Sequence, residues 1–276
     1  MIVTNMKNEY TIFQIDAFTD SLFKGNPAAV VPWEGDWLPD SKLIDLAAEN
    51  NLSETAFFRS RKEKGEYDLR WFTPGVEVDL CGHATLATAF AIYEVLEDRS
   101  DVPSLKFHTK SGILEVFQEN GKYYLDFPAR PPVRTDYSPD DVASCFNIKA
   151  KEILKARDIV FVFEKESDVR ELIPNHEALK NLPFFAAIVT APADSGKSYD
   201  FVSRFFAPAK GVPEDPVTGS SHCTLIPFWS EKFGKKELNA YQASARGGYL
   251  VCENKGERVR IGGNCKLYLK GSFYME

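Results

Sequence analysis

The sequence predicts an α+β protein built from two similar halves. The prediction of two halves rests on three internal matches that occur in the same order. "YDLRWFTP" from Tyr67 resembles "DFVSRFFAP" from Asp200, and "GVEVDLCGHAT" from Gly75 resembles "GVPEDPVTGSS" from Gly211. Further on, "SGILEVFQENGKYYLDF" resembles "GGYLVCENKGERVRIGG". Because the matched segments keep one order and are always about 135 residues apart, an ancestral duplication explains them better than chance.

Both halves follow one plan of short strands, a glycine turn, a helix and a closing hairpin. The match equates Arg70 with Arg204, Gly82 with Gly219 and, across a one-residue gap, Asp79 with Asp215. The turns "ENGK" and "NKGE" are typical of β-hairpins.

The helices follow from the spacing of apolar residues. The first-half helix "HATLATAFAIYEVL" is expected to bury one face, formed by Leu86, Phe90, Tyr93 and Leu96. Its counterpart "SHCTLIPFWSEKF" ends at Gly234, and Pro227 inside it predicts a kink or a short first segment. Two more helices are predicted at "LPDSKLIDLAAENN", with Leu43, Leu46 and Ala47 on one face, and at "SPDDVASCFN", with Ser138 as N-cap.

We place the domain boundary near the middle of the chain. Residues 1–130 form the predicted N-terminal domain and residues 131–276 the C-terminal one, with a last strand at about 268–276 that returns to the first domain. The Pro-rich stretch 128–140 is the predicted linker.

The overall charge argues against a polyanionic partner. The chain has 276 residues, 44% hydrophobic and 26% charged, and a formal net charge of -7. Nucleic acids and anionic membranes require a dense basic patch, which the sequence lacks, so we expect neither as a partner. The N-terminus has no secretory h-region and no segment is long and apolar enough to span a bilayer, which predicts a cytoplasmic protein.

The cysteines and histidines do not suggest a metal or a disulfide framework. Five cysteines are widely spaced without a CxxC pair, and the four histidines form no HxxxH pattern. We therefore expect neither a metal nor another cofactor.

The two glycine turns are candidate anion sites. In both "CGHAT" and "TGSSH" a glycine opens a helix, where free backbone N–H groups and the helix dipole favour negative charge. Two such turns from related halves predict a site for a small anionic substrate. The alternative is that both are merely capped helix starts.

Glu54 in "NLSETAFF" is the candidate acid. As a strand this segment places Leu52, Glu54, Ala56 and Phe58 on one face, so the glutamate is the single charge among apolar neighbours. Burial there would disfavour the ionised carboxylate and suit general acid and base chemistry. The second-half stretch "AIVTAPAD" has no carboxylate at the matching place, although a strand glutamate is also typical of an edge or a salt bridge.

Three other side chains at the turns carry open alternatives. His83 could hold a proton or simply pack in the interior, and Asp215 could orient the acid or cap the helix. Cys81, at a helix N-terminus, could be a reactive thiol or a small buried hydrophobe. Its counterpart is Thr218, so a pair of thiols is not available. We interpret His222 as a helix-packing residue.

Four motifs in order resemble one known family. "DAFTDSLFKGNPAAVV", "NLSETAFF", "CGHATLATA" and "EDPVTGSSH" cover nearly the whole chain and closely resemble the phenazine biosynthesis PhzF-like proteins, which share their fold with diaminopimelate epimerase and proline racemase. The resemblance implies two pseudo-symmetric α+β domains of the diaminopimelate epimerase-like fold. Each is a curved, mostly antiparallel sheet or barrel around a central helix, with the active site in the cleft between domains; homodimers are also implied.

The resemblance also assigns roles to residues. It implies that Glu54 is the general acid and base, helped by His83 and Asp215. It places Ser53, Gly82, Gly219 and Ser220 at the substrate. Relatives of the epimerase type have a cysteine at both turns, whereas this chain has only Cys81.

These observations predict a cofactor-independent isomerase. Glu54 would move a proton on a small carboxylate-bearing substrate, such as a cyclic amino acid or an enol. Two alternatives stay open: a racemase or epimerase that uses Cys81 as a base, and a non-catalytic protein that binds a small molecule.

Overall fold

The computed structural model describes residues 9–96 and 102–275 and divides the chain into two compact units. The first unit consists of 1–22, 27–125 and 264–276, and the second of 23–26 and 126–263. The prediction that the N-terminus has no secretory segment falls partly on residues 1–8, which lie outside the described ranges. Within those ranges, no helix combines the length and the apolar character needed to cross a membrane.

The described residues form the following elements in chain order. The strands are β1 (Glu9–Ala17), β2 (Asn26–Pro32), β3 (Glu54–Ser60), β4 (Glu66–Phe72), β5 (Glu77–Val78), β6 (Ser104–Thr109), β7 (Gly112–Glu119), β8 (Lys122–Pro128), β9 (Val133–Arg134), β10 (Glu152–Lys155), β11 (Ile159–Val162), β12 (Ala187–Pro192), β13 (Phe201–Ala207), β14 (Val212–Asp215), β15 (Glu237–Gln242), β16 (Gly248–Asn254), β17 (Arg258–Gly263) and β18 (Cys265–Tyr274). The α-helices are α1 (Asp40–Asn50), α2 (Gly82–Phe90), α3 (Glu166–Glu171), α4 (His176–Lys180) and α5 (Gly219–Phe233).

Both units have the same strand connectivity. In the first unit β2 and β3 are parallel, β3 and β4 antiparallel, and β4 pairs with both β5 and β6 before the antiparallel strands β7 and β8. In the second unit β11, β12, β13, β14, β15, β16 and β17 repeat these pairings in the same order and with the same directions. The internal repeat of the sequence therefore corresponds to a repeat of topology.

The first unit also receives a strand from the far end of the chain. β18 pairs with β1 along its whole length, from Glu9 opposite Tyr274 to Ala17 opposite Cys265, with one irregularity between Gln14 and Ile15. The last strand thus lies in the first unit.

Each unit has one long buried helix. In α2 every residue from His83 to Ala89 is buried, and the helix contacts β1, β3, β7 and β18. The expectation that this helix buries only one face is wrong. Its many alanines and threonines let strands approach from all sides, so it is a central helix without a solvent face. After Phe90 the helix widens into a π-helical turn, Ala91–Val95.

The proline in α5 is accommodated without a break. The helix runs without interruption over Pro227 and ends at Gly234, whose φ of 64° is the left-handed conformation predicted for a C-terminal glycine. The prediction of a short first segment is wrong. Proline cannot donate to the carbonyl of Cys223 four residues earlier, and that carbonyl accepts instead from the backbone N–H of Arg130 at 2.8 Å.

One predicted helix is absent, whereas helix α1 and the two predicted hairpin turns form. Residues 138–147 contain a 3₁₀ turn at Ala143–Cys145 and no α-helix, although Ser138 and Asp141 exchange the reciprocal hydrogen bonds of a capping box. The backbone N–H groups of Asp141 and Cys145 donate to carbonyls three residues earlier, and the i→i+4 bonds of an α-helix do not follow. By contrast, α1 buries Leu43 and Ala47 as predicted. The "ENGK" and "NKGE" turns close hairpins, with Asn120, Gly121 and Gly256 at positive φ.

A pair of arginine–glutamate bridges corrects the repeat alignment. Arg70 binds Glu77 with two hydrogen bonds of 2.8 and 2.9 Å, and Arg204 binds Glu214 with two of 2.7 and 2.9 Å. Each guanidinium also lies 4.9 Å from the ring centroid of a phenylalanine. Glu77 therefore corresponds to Glu214. When the alignment continues from this pair without a gap, Asp215 corresponds to Val78. The equivalence of Asp79 and Asp215 is wrong, whereas that of Cys81 with Thr218 and Gly82 with Gly219 holds.

Candidate active site

Glu54, His83 and Cys81 come together in the first unit. Glu54 is the first residue of β3 and pairs across the parallel ladder with Ala28. Cys81 is the N-cap residue of α2, and His83 is the second residue of that helix. The helix start is fixed by Thr85, whose hydroxyl and N–H both donate to the Cys81 carbonyl. The sequence motifs therefore converge on one group of three side chains.

The imidazole ring lies between the other two groups. His83 Nε2 is 3.1 Å from Glu54 Oε2, and His83 Nδ1 is 3.5 Å from the Cys81 Sγ. The Glu54 side chain is 18% exposed and that of His83 only 6%, so Glu54 is the more accessible of the two. Leu52, which the sequence placed on the strand face, precedes the strand. Ser53 lies immediately before Glu54.

The surroundings shift two pKa values in this group. Burial alone would lower the pKa of His83, but the sulfur of Cys81 and the Glu54 carboxylate outweigh it and raise that pKa well above its ordinary value. Burial, reinforced by the Glu54 charge, raises the pKa of Cys81 to about 11. The ring of His83 therefore lies between a thiol whose pKa is raised and the Glu54 carboxyl group.

The same three side chains are the group that could be considered for a metal. Among the described residues, they form the one group of three or more His, Cys or carboxylate side chains whose ligand atoms all lie within 4.8 Å of one another. However, the ring offers Nδ1 to the sulfur and Nε2 to the carboxylate, so the three donors do not face one common centre. The geometry fits a chain of contacts through the imidazole better than a metal shell.

Asp215 is held in the second unit by two buried amides that the sequence did not single out. The Asn26 amide donates to Asp215 Oδ1 at 2.8 Å and to the Val217 carbonyl at 2.9 Å. The Thr218 hydroxyl donates to the other carboxylate oxygen. Gln242 accepts from the Thr218 N–H at 2.9 Å and donates to the Asp215 carbonyl at 2.8 Å.

These two amides are fully buried, and their role depends on contacts distant in sequence. Asn26 lies in the motif "KGNPAAVV", which was a signal for the family but gave no role for this residue. Gln242 ends β15 without any local motif. Spacing along the chain could not have shown either contact.

The start of α5 carries the remaining predicted residues. Gly219 is its first residue and Ser220 its second, and the Ser220 hydroxyl accepts from Arg157 at 3.2 Å. Arg157 also forms two 3.0 Å hydrogen bonds with Asp158, which is only 1% exposed. The first N–H groups of α2 and α5 have no partner within their helices, as at any helix start, which keeps Gly82 and Gly219 as candidate anion contacts.

Strand register identifies what replaces Glu54 in the second unit. Thr55 pairs with Phe72, and Ala187 pairs with Phe206, the equivalent of Phe72 in the repeat. Glu54 therefore corresponds to Ala186, and the expected absence of a matching carboxylate is confirmed. By the same alignment, His83 corresponds to Ser220.

The other histidines and cysteines have packing roles. His222 is fully buried, donates from Nδ1 to the Thr218 carbonyl at 2.7 Å and packs on Phe201, which confirms its interpretation as a helix-packing residue. Burial lowers the pKa of His222 to about 4. His108 pairs with Glu66 at 2.7 Å, and all five cysteines are buried and free.

Two units of one connectivity, each with a sheet around a buried helix, define an α+β protein with a duplicated fold. The same fold occurs in a hydroxyproline epimerase from Agrobacterium vitis, whose structure has a TM-score of 0.59 at 9% identity and covers 98% of this chain and 93% of that one. At this identity the likeness concerns the fold alone.

Family models and relatives narrow the assignment. The model of the phenazine biosynthesis-like protein family matches residues 15–271, and the chain belongs to this family. An uncharacterized isomerase of Pseudomonas aeruginosa is 48% identical over 267 residues, which span 97% of this chain and all of that protein. A crystal structure of a PhzF-family phenazine biosynthesis protein from Enterococcus faecalis has a TM-score of 0.91 at 45% identity, and covers 97% of this chain and 100% of that chain. The resemblance seen in the motifs is confirmed, and the relatives support an isomerase or epimerase.

Proposed function

We propose that this protein is a cofactor-independent isomerase in which Glu54 moves a proton between two carbons of a small carboxylate-bearing substrate. The observation that carries the proposal is the contact of the Glu54 carboxyl group, on a partly exposed side chain, with the buried ring of His83, 3.1 Å away. A carboxyl group on a partly exposed side chain, next to a buried imidazole, is a suitable acid and base.

The proton transfer would proceed in two balanced steps. The Glu54 carboxylate takes a proton from a substrate carbon, and the electron pair of that C–H bond enters a conjugated double bond or an enolate. The protonated Glu54 then returns the proton to a different carbon, which restores the carboxylate. His83 would hold the Glu54 carboxyl group in position between turnovers through its 3.1 Å contact.

The substrate-binding roles are proposed from the sequence motifs. Ser53 is adjacent to the acid, and Gly82 opens α2 with free backbone N–H groups that favour a carboxylate. In the second unit Gly219 and Ser220 open α5, and Asp215 is presented by Asn26 and Thr218. We assign an amino or hydroxyl group of the substrate to Asp215, since its carboxylate is an acceptor.

Solvent deuterium incorporation tests the proposal without knowledge of the pathway. The protein is incubated in D₂O with a panel of carboxylates that includes cyclic amino acids, unsaturated amino acids and hydroxy acids, and label is followed by NMR. Glu54→Gln preserves the shape and removes the proton acceptor, so label uptake should fall at least about 10²-fold.

Glu66→Gln is the matched control, because Glu66 is also a carboxylate paired with a histidine in the first unit. It should exchange at the wild-type rate. A Glu54→Gln protein that labels substrate as fast as the wild type would end the mechanism. If the wild-type protein binds members of the panel but labels none, the binding-protein alternative is favoured instead.

The racemase alternative has its own signature. A two-base racemase inverts one carbon and would need a second base opposite Cys81, yet the equivalent residue Thr218 donates its hydroxyl to Asp215. Retention of full activity by Cys81→Ser would rule out a thiolate base. The homodimer and the cytoplasmic location stay predictions, and sedimentation velocity checks the first of them.

A further inference from the structure

Cys81 occupies a helix position at which a capping side chain would be expected. It is the N-cap residue of α2, a site at which Ser, Thr, Asp or Asn normally accepts a hydrogen bond from the helix backbone. The Cys81 side chain makes no such capping bond. Its sulfur lies instead 3.5 Å from Nδ1 of His83. The Ala84 N–H, at the third helix position, also interacts with the sulfur, so the thiol contacts both the imidazole and the helix start.

The two contacts of His83 select one orientation of its ring. A half-turn of the ring would exchange Nδ1 with Cδ2 and Nε2 with Cε1, which would present carbon atoms to both partners. The sulfur on one edge and the Glu54 carboxylate on the other both favour the orientation in the structure. Since the ring is almost completely buried, no water competes strongly for these nitrogens.

We propose that Cys81 is a positioning residue whose sulfur accepts from the Nδ1–H of the His83 imidazolium and thereby holds Nε2 toward Glu54. The inference rests on the proposed function, because it explains how the partner of the catalytic carboxylate is oriented. The contact itself can be tested without turnover.

The thiol is poorly suited to the alternative role of a base. Its pKa of about 11, raised by burial and by Glu54, leaves it protonated at neutral pH, whereas an efficient general base titrates near the working pH. A neutral thiol can still accept weakly through sulfur. Thr218, at the equivalent position of α5, donates its hydroxyl to Asp215 and is no base.

NMR of the histidine side chains tests this positioning role. The protein is labelled with ¹⁵N-histidine, and a His83→Gln variant identifies the His83 signals among those of the four histidines. Because a hydrogen bond from the ring to the sulfur favours the charged imidazolium, loss of the sulfur should lower the titration midpoint of His83. We therefore expect a lower midpoint in Cys81→Ala and a midpoint closer to that of the wild type in Cys81→Ser, whose hydroxyl oxygen can accept.

Two further variants keep the test decisive. Cys81→Val is close to cysteine in size and lacks an acceptor, so it replaces the alanine variant if that protein does not fold. Cys223→Ala removes another buried cysteine, near the start of α5, and should leave the His83 midpoint unchanged. A wild-type midpoint in both Cys81→Ala and Cys81→Val would overturn the proposal, as would an equal shift in Cys223→Ala.

The exchange assay separates positioning from base catalysis. Cys81→Ser should retain label uptake within about 10-fold, whereas loss of a general base costs about 10²-fold or more. A larger loss in Cys81→Ser, with an unchanged His83 midpoint, would overturn the positioning role. If the wild-type protein labels no compound at all, the proposed function fails while the NMR titration still decides the contact of Cys81 with His83.

Discussion

The two units share their strand pairings but differ at the first turn of the central helix. Where the first unit has Glu54, Cys81 and His83, the second has Ala186, Thr218 and Ser220. The arginine–glutamate bridges and the long buried helices have been retained in both. The difference teaches that the duplicated scaffold fixes where side chains are presented, and that three substitutions decide which unit carries the acid and its histidine.

The central helices also show one function performed by two chemistries. Thr85 and His222 are equivalent, and each donates a side-chain hydrogen bond to the carbonyl of the N-cap residue, at 2.5 and 2.7 Å. Threonine does so with a hydroxyl that never ionises at ordinary pH, whereas histidine introduces a titratable ring. The second unit therefore has an acid sensitivity at a place where the first has none.

Replacing His83 with the residue found at the equivalent position of the second unit should have the largest effect on label uptake. His83→Ser gives the first unit the residue of the second and removes the partner of Glu54, so label uptake should fall about 10²- to 10⁴-fold. Ser220→Ala should reduce it less than about 10-fold, because a hydroxyl contact is replaced by solvent. Steady-state exchange rates of both variants check this, and equal losses would contradict the assignment of chemistry to the first unit.

Acid should destabilise the protein through His222. The folded-state pKa of about 4 lies below the ordinary value of 6.5, so the stability from the neutral ring is full above about pH 6.5 and is lost as the pH falls toward 4. The loss amounts to about 3 kcal/mol of unfolding free energy.

Urea unfolding of the wild type and of His222→Gln between pH 7 and pH 4 measures this loss. Glutamine can still donate to the Thr218 carbonyl but does not titrate. Its unfolding free energy should depend less steeply on pH than that of the wild type. Parallel pH curves for the two proteins would show that His222 is not the sensitive group.

The hydroxyl of Thr218 should contribute a smaller amount. Thr218→Val removes the donor to Asp215 and leaves a partly buried carboxylate oxygen with one partner fewer, which should cost about 1–2 kcal/mol of stability. Thr218→Ser keeps the hydroxyl and should recover most of that loss. Thermal unfolding of the two variants is the measurement, and equal destabilisation by both would show that the hydroxyl bond to Asp215 is not what stabilises this turn.

The retained bridges should give the smallest and most similar effects. Glu214→Gln removes the charge partner of Arg204 and should cost about 1 kcal/mol. Glu77→Gln should cost slightly more, because Glu77 also pairs with Lys110 as well as Arg70. Denaturation midpoints test this order, and a negligible effect at either site would show that only one copy of the bridge still supports its unit.

Local patterns in the sequence predicted much of the fold. The hairpin at Asn120 and Gly121 and the helix end at Gly234 were predicted because glycine and asparagine tolerate positive φ. The helix expected after Ser138 does not form, since the backbone there closes i→i+3 turns, which a single sequence does not distinguish from the start of an α-helix. The one-sided burial expected for α2 was wrong because alanine-rich helices leave no sign of which faces will be covered.

The candidate site was predicted by residue type but not by contact. Glu54, Cys81 and His83 were singled out separately, and their meeting depends on the parallel pairing of β3 and the start of α2. Asn26 and Gln242 were missed because each acts on Asp215 from a distant part of the chain. Long-range hydrogen bonds from neutral side-chain amides carry no periodic or charge signal that a single sequence could reveal.

The pairing of β1 with β18 also constrains how the chain can fold during synthesis. Residues near the beginning find their partner strand, Cys265–Tyr274, only after almost all the intervening residues have been translated. The second unit takes most of its residues from one continuous stretch and is therefore free to fold earlier. The unit that carries the acid is thus completed last, so an interrupted translation product would contain Glu54 and His83 without the strand that closes their sheet.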